Sequence, residues 1–560
     1  MKVLKFIKTA SFILLIVILS ACGLGGRDEN GYVADVDDTD AYIIYNFIRT
    51  SWNQPFPQPV TATIANEEMA HVVFPEGQNI FNNIWTARWS DLYNINIETI
   101  WVSADYTMQM NMAIYSGDLP DIFSVNPEQF RRLLDNGMIE DITDTLMWLS
   151  PAAESLLTDE QMIFSTAMRG GRCYSIPRLH YGYITQAPYL WIRRDWYEQL
   201  GNPPVNTVAE LENLMQQMTD TFDEITHVMA MNSNMDTFWH STQMWNSFAR
   251  ASGQRMWIDG YGGNIVSAYE QPEMVEAIAA FRRWRENGWI RPDFYAVDWY
   301  EMNADIINGR SAMAVGQNWR GWNWLDVVNV FNYDSYMIVL PMPTTDGEQA
   351  RIPIHFPNHS YEVVRRGFAF PEILPILTSD YIYVLTEAMF TGSISHDEAM
   401  QFRFNEMPQC AGPFRVVLPH YRDAVEVLNA ADAYRTGDFG NFQFTSANAF
   451  FFTNEVLNWM SYGDVSGLGR YMQMGNRRSS LSMGIRYQNS GMFLFSRLWG
   501  PQPHEMLAYG PSAEIIINDG VMRIISGYYP IEQWNYILEN WRASGGAAMT
   551  AAVNAYFGLH

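Results

Sequence analysis

The sequence predicts an α/β protein with two or more lobes, and three observations lead to this. Segments with helical spacing of apolar side chains alternate with short apolar strands, an order typical of α/β folds. The chain has 560 residues, which is too long for a single hydrophobic core. Hydrophobic residues make up 48% of it and charged residues 17%, so we expect a folded chain rather than a disordered one.

Two features of the composition bear on binding partners. Aromatic residues reach 14% and include 20 Trp, an abundance that leaves aromatic side chains for a surface that stacks on a ligand. The formal net charge of −26 opposes binding to nucleic acid, because phosphate contacts need Lys and Arg.

The first 22 residues carry the strongest local signal. Lys2, Lys5 and Lys8 precede an apolar run at 10–19 that is too short to span a bilayer stably. The run ends in Leu-Ser-Ala-Cys, which resembles the lipobox of bacterial lipoproteins; a plain secretory signal is the alternative. We predict a signal peptide at 1–21 and acylation of Cys22, and two or more acyl chains anchor a protein stably.

The next segment, 22–45, predicts a disordered acidic tether, because 23–40 is polar, Gly-rich and acidic. The folded part is expected over 46–560. Cys173 and Cys410 remain as thiols in a compartment that permits disulfides. The sequence leaves open whether they pair or stay separate and buried.

The first part of the fold shows helices and strands in alternation. Gly117 is placed to end a helix over 105–116, and the chain then turns into a short strand that ends at Phe123. The other predicted elements here are strands at 71–74 and 97–103, and helices at 79–94 and 127–136.

The stretch 171–196, GRCYSIPRLHYGYITQAPYLWIRRDW, predicts extended chain that crosses between lobes. Pro177 and Pro188 disfavour helix in the residues before them, and a helix is expected only from about Arg193. An ordinary pair of buried strands is the alternative.

The second part of the fold continues the alternation. Thr207 and Glu210 form a capping-box pattern, which predicts a helix that runs to about Phe222. Further helices are expected at 272–287 and 298–308, and strands at 311–315 and 336–340.

No pattern in the sequence predicts catalysis or a metal centre. The chain has no HExxH, GxSxG or P-loop motif. His355 and His359 are spaced like metal ligands, but Pro357 keeps them off one helix face and no carboxylate is nearby. We therefore predict no catalytic residue, no metal and no cofactor.

Several segments together resemble the extracellular solute-binding proteins of ABC importers, the group that includes maltose-binding protein. In order these are SGDLPDIF (116–123), NGMIEDITD (136–144), YSIP (174–177), LWIRRDWYEQLGNPPVNTVAEL (190–211), NGRSAMAVGQNWRGW (308–322) and RIISGYYPIEQWNYILENWRASGG (523–546). The last is similar to the ending of large Gram-positive lipoprotein members, the LplA-like group.

This resemblance implies a periplasmic-binding-protein-like fold, in which two α/β lobes are joined by hinge crossovers. The first lobe is expected over about 46–177 and 368–440, and the second over about 190–360 and 441–560. The first crossing is expected at 178–189 and a second near 360–367. A calcium site known in many large members is doubtful here, because 222–226 reads Phe-Asp-Glu-Ile-Thr without the oxygen-rich loop that precedes it.

The implied function is capture of an oligosaccharide in the cleft between the lobes and delivery to ABC permease subunits. The protein would be lipid-anchored at Cys22 on the extracellular side of the cell membrane. Two alternatives stay open. One is a secreted glycoside-active enzyme, which needs two carboxylates across a cleft, and the other is a binder of peptides or other solutes on the same fold.

The resemblance and the residue types together nominate six ligand contacts. Trp319 is expected to stack on a sugar ring, and Arg320 either binds a ligand group or faces solvent. The remaining candidates are Trp239 in the second lobe, Tyr181 and Tyr183 in the crossing, and Asn126 at the mouth of the first lobe. For each aromatic residue, core packing is the alternative.

Overall fold

The computed structural model describes residues 52–68, 74–159, 161–178, 183–185, 187–245, 256–260, 262–354, 360–403, 410–416, 421–498 and 502–559. The predicted signal peptide, Cys22 and the tether therefore lie outside the described residues. None of the helices in the described part combines the length and hydropathy that a bilayer crossing requires. Cys173 and Cys410 are both buried, and no disulfide joins them in the described part of the chain.

Fourteen strands are described, most of them short. They are β1 (Val60–Glu67), β2 (Ile95–Ser103), β3 (Ile122–Val125), β4 (Met168–Arg169), β5 (Arg172–Cys173), β6 (Ile176–Pro177), β7 (Tyr189–Arg193), β8 (Trp257–Asp259), β9 (Ile265–Ser267), β10 (Met313–Gly316), β11 (Met337–Leu340), β12 (Ile352–Ile354), β13 (Tyr361–Val364) and β14 (Phe493–Phe495).

Helices of widely different length cover these strands. They are α1 (Ile84–Tyr93), α2 (Tyr106–Ser116), α3 (Pro127–Asp135), α4 (Pro151–Asp159), α5 (Gln161–Ser165), α6 (Arg194–Gln199), α7 (Val208–Thr221), α8 (Asp236–Ser241), α9 (Glu273–Glu286), α10 (Trp299–Ile307), α11 (Val327–Val330), α12 (Ile373–Thr386), α13 (His396–Arg403), α14 (Tyr421–Thr436), α15 (Ala447–Tyr462), α16 (Val465–Arg470), α17 (Ser480–Asn489), α18 (His504–Ile525), α19 (Gln533–Trp541) and α20 (Ala547–Tyr556).

Local sequence explains many helix ends. Thr207 accepts a hydrogen bond from the Glu210 amide at 3.2 Å, and the Glu210 carboxylate accepts one from the Thr207 amide at 3.0 Å. This is the predicted capping box, and it starts α7. Gly117 ends α2 with φ at 83°, a left-handed conformation that favours glycine.

The first lobe is built on two small sheets. β1 pairs with β2 in parallel, and β3, β13 and β6 form an antiparallel sheet in that order. Helices α1 and α12 pack on them, and Trp85 and Trp89 lie at the centre of the core with Tyr381 and Phe402.

The second lobe has a separate core. Strand β7 lies between β10 and β11 in an antiparallel sheet, and all five of its residues are buried. Apolar side chains of α7, α9 and α18 complete this core.

The chain passes between the lobes in the segments that connect a strand of one lobe's sheet to a strand of the other lobe. β6 belongs to the first-lobe sheet and β7 to the second-lobe sheet, so the chain crosses between Pro177 and Tyr189. β12 pairs with β14, whereas β13 already belongs to the first-lobe sheet. The second crossing therefore ends before Tyr361, earlier than the predicted 360–367.

Helix α15 connects both lobes. Its Ala447 and Phe451 pack in the first-lobe core, and its Trp459 packs in the second-lobe core. The sequence placed all of 441–560 in the second lobe, so this helix differs from the prediction. The reason is that its buried side chains occupy more than one face, a pattern that does not reveal which core each face meets.

Two other elements differ from the sequence prediction. The predicted strand at 71–74 lies mostly outside the described residues, and Phe74 is in a loop. The first described strand is β1, whose alternation of Thr, Ala and Ile was not recognised as a strand pattern.

An ion-pair cluster centred on Asp305 fastens α10 within the second lobe. The Asp305 carboxylate lies 2.9 Å from His227 Nε2, 3.0 Å from Arg291 Nη1 and 2.7 Å from Arg310 Nε. Burial alone raises the pKa of Asp305, but the hydrogen bonds from these three side chains outweigh it and hold the pKa at about 2.

We expect the substitution Asp305→Asn to lower the free energy of unfolding near neutral pH by about 2 kcal/mol. The folded-state pKa lies below the ordinary 3.8, so the carboxylate stabilises the fold above that value and the contribution is lost as the pH falls towards 2. Urea unfolding at neutral pH and near pH 3 would measure this. The exposed pair Asp519–Arg523 supplies the control D519N, and an equal loss for D305N at both pH values would contradict the prediction.

Candidate functional site

A cavity of about 210 Å³ opens in the first lobe beside the two crossings; we call it the crossing pocket. Its wall combines the carboxyl ends of β1 and β3, the first turns of α2 and α3, and chain next to both crossings. Most of the lining side chains carry amides or hydroxyls. The lining residues are Ala65, Asn66, Glu67, Tyr106, Thr107, Ser124, Val125, Asn126, Gln129, Arg178, Ser360, Gly412 and Arg415.

Helix capping fixes two of these amides in place. The Asn126 side chain accepts a hydrogen bond from the Gln129 amide at 2.9 Å, and Gln129 Oε1 accepts one from the Asn126 amide at 3.1 Å. Pro127 follows as the first helical residue, where its missing N–H costs nothing. Gln129 Nε2 also donates to Asn111 Oδ1 at 3.0 Å. The polar groups on this wall are thus ordered by the fold itself.

A buried ion pair joins the two crossings at the same wall. Arg178 Nη2 lies 2.7 Å from Glu362 Oε1, Ser360 Oγ donates to Oε1 at 3.1 Å, and Ser124 Oγ donates to Oε2. The Arg178 amide donates to the Ser360 carbonyl at 3.0 Å. Burial raises the pKa of Glu362, while Arg178 and the two serines oppose the rise. The pocket therefore shares three residues with the connection between the lobes.

In the second lobe, two indole rings form an aromatic pair, the half-exposed Trp319 and the partly buried Trp299. Trp319 follows β10 and begins a short 3₁₀ helix, Arg320–Trp324. The ring centroids are 5.7 Å apart with 37° between the planes. Trp319 Nε1 donates to Gln317 Oε1 at 2.7 Å, and 42% of Trp319 is exposed. An oriented, half-exposed indole is available to a ligand.

Arg320 lies inside the lobe against this aromatic pair. Its guanidinium carbon is 4.0 Å from the Trp299 ring centroid, and Nη2 is 3.6 Å from Asp236 Oδ2. Burial lowers the pKa of Arg320 to about 10, and Asp236 opposes this. The Arg320 side chain passes close over Gly316. A Cβ atom on residue 316 would lie only 2.5 Å from Arg320 Nε, so glycine leaves room for the guanidinium. Only 1% of Arg320 is exposed, which corrects the expectation of a solvent-facing or ligand-binding group.

The other predicted contacts have mixed outcomes. Trp239 is 3% exposed and packs edge-on against Phe238 and Tyr269, so it is a core residue rather than part of a cleft wall. Tyr181 and the side chain of Tyr183 lie outside the described residues. Asn126 lines the crossing pocket, but its ligand contact stays a prediction, as does that of Trp319.

Sequence reasoning missed several residues that the fold brings to the crossing pocket and to the aromatic pair. Arg178 directly follows Pro177 at the start of the predicted crossing, and Trp299 opens the predicted helix at 298–308. These positions were visible in the sequence. Glu362 and Ser124 carried no comparable signal, because they meet only when β13 pairs with β3.

The arrangement suits binding rather than chemistry. Amides and hydroxyls of the crossing pocket both donate and accept hydrogen bonds, and the indole of Trp319 offers a flat apolar face. Within the described ranges, no group of three or more His, Cys, Asp or Glu side chains is placed to hold a metal ion. His355 and His359 lie outside those ranges.

Comparison with known sequences and structures gives consistent matches. A profile described as bacterial extracellular solute-binding protein matches residues 74–365. No curated protein sequence matches the chain.

Among solved structures, alginate-binding protein AlgQ2 aligns with 12% identity and a TM-score of 0.55, over 90% of this chain and 99% of that one. An HMO-binding solute-binding protein from Bifidobacterium longum infantis aligns with 12% identity and a TM-score of 0.57, over 89% of this chain and 98% of that one. The S. pneumoniae substrate-binding protein FusA in complex with fructo-nystose aligns with 14% identity and a TM-score of 0.55, over 89% of this chain and 99% of that one. The chain is thus similar in fold to these proteins over nearly its full described length.

Proposed function

Because the chain belongs to the bacterial extracellular solute-binding protein family, we propose that it is the substrate-binding component of an ABC importer that captures an oligosaccharide between its lobes. The family consists of binders without enzymatic activity. The alternative of a glycoside-active enzyme is therefore set aside, and what remains open is the solute.

The crossing pocket is the observation that carries the proposal. Its amides and hydroxyls match the alternating donors and acceptors of sugar hydroxyl groups. Its described lining has two cations: Arg178 is paired with the buried Glu362, and Arg415 shares the lining with the carboxylate of Glu67. The balance of charge therefore favours a neutral, hydroxyl-rich solute over a strongly anionic one.

The aromatic pair supports the same solute class from the second lobe. Sugar rings present apolar C–H faces, and the exposed part of Trp319 covers such a face without burying a charge. The ligands named for the structural neighbours, alginate, HMO and fructo-nystose, are all carbohydrates. At 12–14% identity, these neighbours support only the assignment of the fold. The class of ligand is therefore proposed from the residues of this chain.

Closure of the lobes is proposed to trap the solute, and the crossings supply the hinge. Arg178, Ser124 and Ser360 line the pocket and hold the crossings together, so a solute bound there touches the hinge directly. A contact between the lobes already exists, since Arg131 Nη1 on α3 donates to the Gln502 carbonyl before α18 at 2.6 Å.

We further propose that Cys22 anchors the protein on the outer face of the cell membrane, with 22–45 as a tether, and that closed protein delivers its solute to ABC permease subunits. The support is the lipobox-like Leu-Ser-Ala-Cys at 19–22 behind a basic start. Mass spectrometry of protein extracted from membranes tests this, because an unmodified residue 22 would refute the anchor.

We expect neutral oligosaccharides of three or four units to raise the thermal stability of the protein, by about 2.7 kcal/mol at a hundredfold excess over the Kd. The screen would contain kestose, nystose, lacto-N-tetraose and maltotetraose, with an alginate trisaccharide and a tetrapeptide as contrasting classes. Stabilisation by the peptide alone would refute the sugar proposal. Stabilisation by the alginate fragment alone would refute the neutral class.

A further inference from the structure

A second cavity, of about 620 Å³, lies on the first lobe between α1, the start of β2 and α13; we call it the outer pocket. Five of its lining side chains are carboxamides, and one, Asp91, is charged. The carboxamides are Gln78, Asn82, Asn83, Asn96 and Gln401.

The carboxamide NH₂ groups are unused. Gln78 Oε1 accepts from the Ile84 amide at 3.0 Å, and Asn96 Oδ1 accepts from Ser90 Oγ at 3.0 Å. Within the described part of the chain, however, none of the five NH₂ groups donates a hydrogen bond. Asn83 is only 4% exposed, and its Nδ2 has no partner. An unpaired donor at such a site costs free energy unless a partner arrives.

The lining excludes an anion as the natural occupant. Among the described residues that line it there is no Lys, Arg or His. The N-terminus of α1 is also satisfied internally, because Asn83 Oδ1 accepts from the Trp85 and Thr86 amides and Gln78 caps Ile84. Unused NH₂ donors beside one carboxylate acceptor suit a ligand that both accepts and donates, which is the chemistry of neutral hydroxyl groups.

The outer pocket is separate from the crossing pocket. Asn96 pairs with Thr61 near the start of β1, whereas the crossing pocket uses Ala65–Glu67 at its end. The two sites are therefore roughly 13–20 Å apart along the strand. Every residue that lines the outer pocket belongs to the first lobe, so occupation does not require the lobes to close.

We propose that the outer pocket is a second saccharide-binding site, which takes one or two neutral sugar units on the surface of the first lobe. Ile84 and Ile97 also line the pocket and supply apolar surface among the amides. The site would hold a sugar chain near the protein independently of capture in the cleft.

Ligand-observed saturation-transfer NMR on the full chain tests this, with methyl α-glucoside, methyl β-galactoside and nystose as probes. The experiment uses a W319A background to weaken the cleft. Conversion of two amides to carboxylates, N96D/Q401E, removes NH₂ donors but keeps shape and the acceptor for Ser90. We expect millimolar binding that weakens about tenfold in this variant, whereas Q199E on α6 leaves it unchanged.

The outcomes separate this site from the cleft. Loss of the NMR signal in N96D/Q401E and in N82D, with a cleft response retained when Trp319 is intact, supports the outer pocket. Unchanged binding in both amide variants would overturn it, as would no saturation by any of the three neutral probes up to about 50 mM. Sodium glucuronate or phosphate binding in place of the neutral probes would also overturn it.

Discussion

Replacing Asp380 with Asn is expected to lower the free energy of unfolding by about 3–5 kcal/mol. The buried carboxylate accepts hydrogen bonds from Arg88 Nη2 at 2.9 Å, Trp89 Nε1 at 3.0 Å and Tyr93 Oη at 2.6 Å. All three donors lie on α1 and Asp380 lies on α12, so one carboxylate fastens two helices of the first-lobe core. Asn would leave the Arg88 cation without its countercharge in a largely desolvated position.

Urea denaturation followed by circular dichroism measures this loss. The matched control is E128Q, because the Glu128–Arg132 pair is exposed on α3 of the same lobe and should contribute under about 0.5 kcal/mol. Y93F removes a single neutral donor and should cost about 1 kcal/mol. If D380N were as mild as E128Q, the carboxylate would not be a structural centre of the lobe.

Replacing Trp319 with Ala is expected to weaken binding of the captured oligosaccharide by roughly 30-fold, about 2 kcal/mol. The half-exposed indole is held by its hydrogen bond to Gln317 and by Trp299, so it presents a fixed face at little entropic cost. W319F keeps an aromatic face and should lose less than W319A. Isothermal titration calorimetry with the best saccharide from the thermal screen measures both.

The control for this prediction is Y536A, which removes an exposed aromatic ring on α19. Its affinity should match that of the wild type, and the free energy of unfolding should hardly change in W319A, because Trp319 is outside the core. An unchanged Kd in W319A would show that Trp319 does not contact the ligand and only packs against its neighbours. The proposal for the crossing pocket could still be tested there separately, through S360A.

Sequence reasoning predicted the family-level fold and several local features. The capping box at Thr207 and the end of α2 at Gly117 depend on side chains within a few residues of each other, so the sequence alone indicates them. The stretch 171–196 predicted extended chain because Pro177 and Pro188 disfavour helix before them, with a buried strand pair as the alternative, and the family resemblance placed a crossing at 178–189. The strand pairing of β6 and β7 in different sheets agrees with that interpretation.

Other predictions failed where the deciding contact is distant in sequence. Trp239 was expected in a cleft, but its ring packs on Tyr269 in the core. Arg320 was expected at a surface, but Asp236 and Trp299 enclose it. In both cases the residue type fits either environment, because aromatic and Arg side chains combine apolar area with a polar group.

The sequence by itself predicted the α/β class and the ends of several helices, since periodicity, caps and glycine act over one or two turns, and its resemblance to a family predicted a solute-binding fold. Only the tertiary structure decided which polar groups meet. Arg178 reaches Glu362, and Arg88 reaches Asp380, across long intervals of chain. Such pairs form when separate strands and helices dock, and no local spacing records which acid will meet which base.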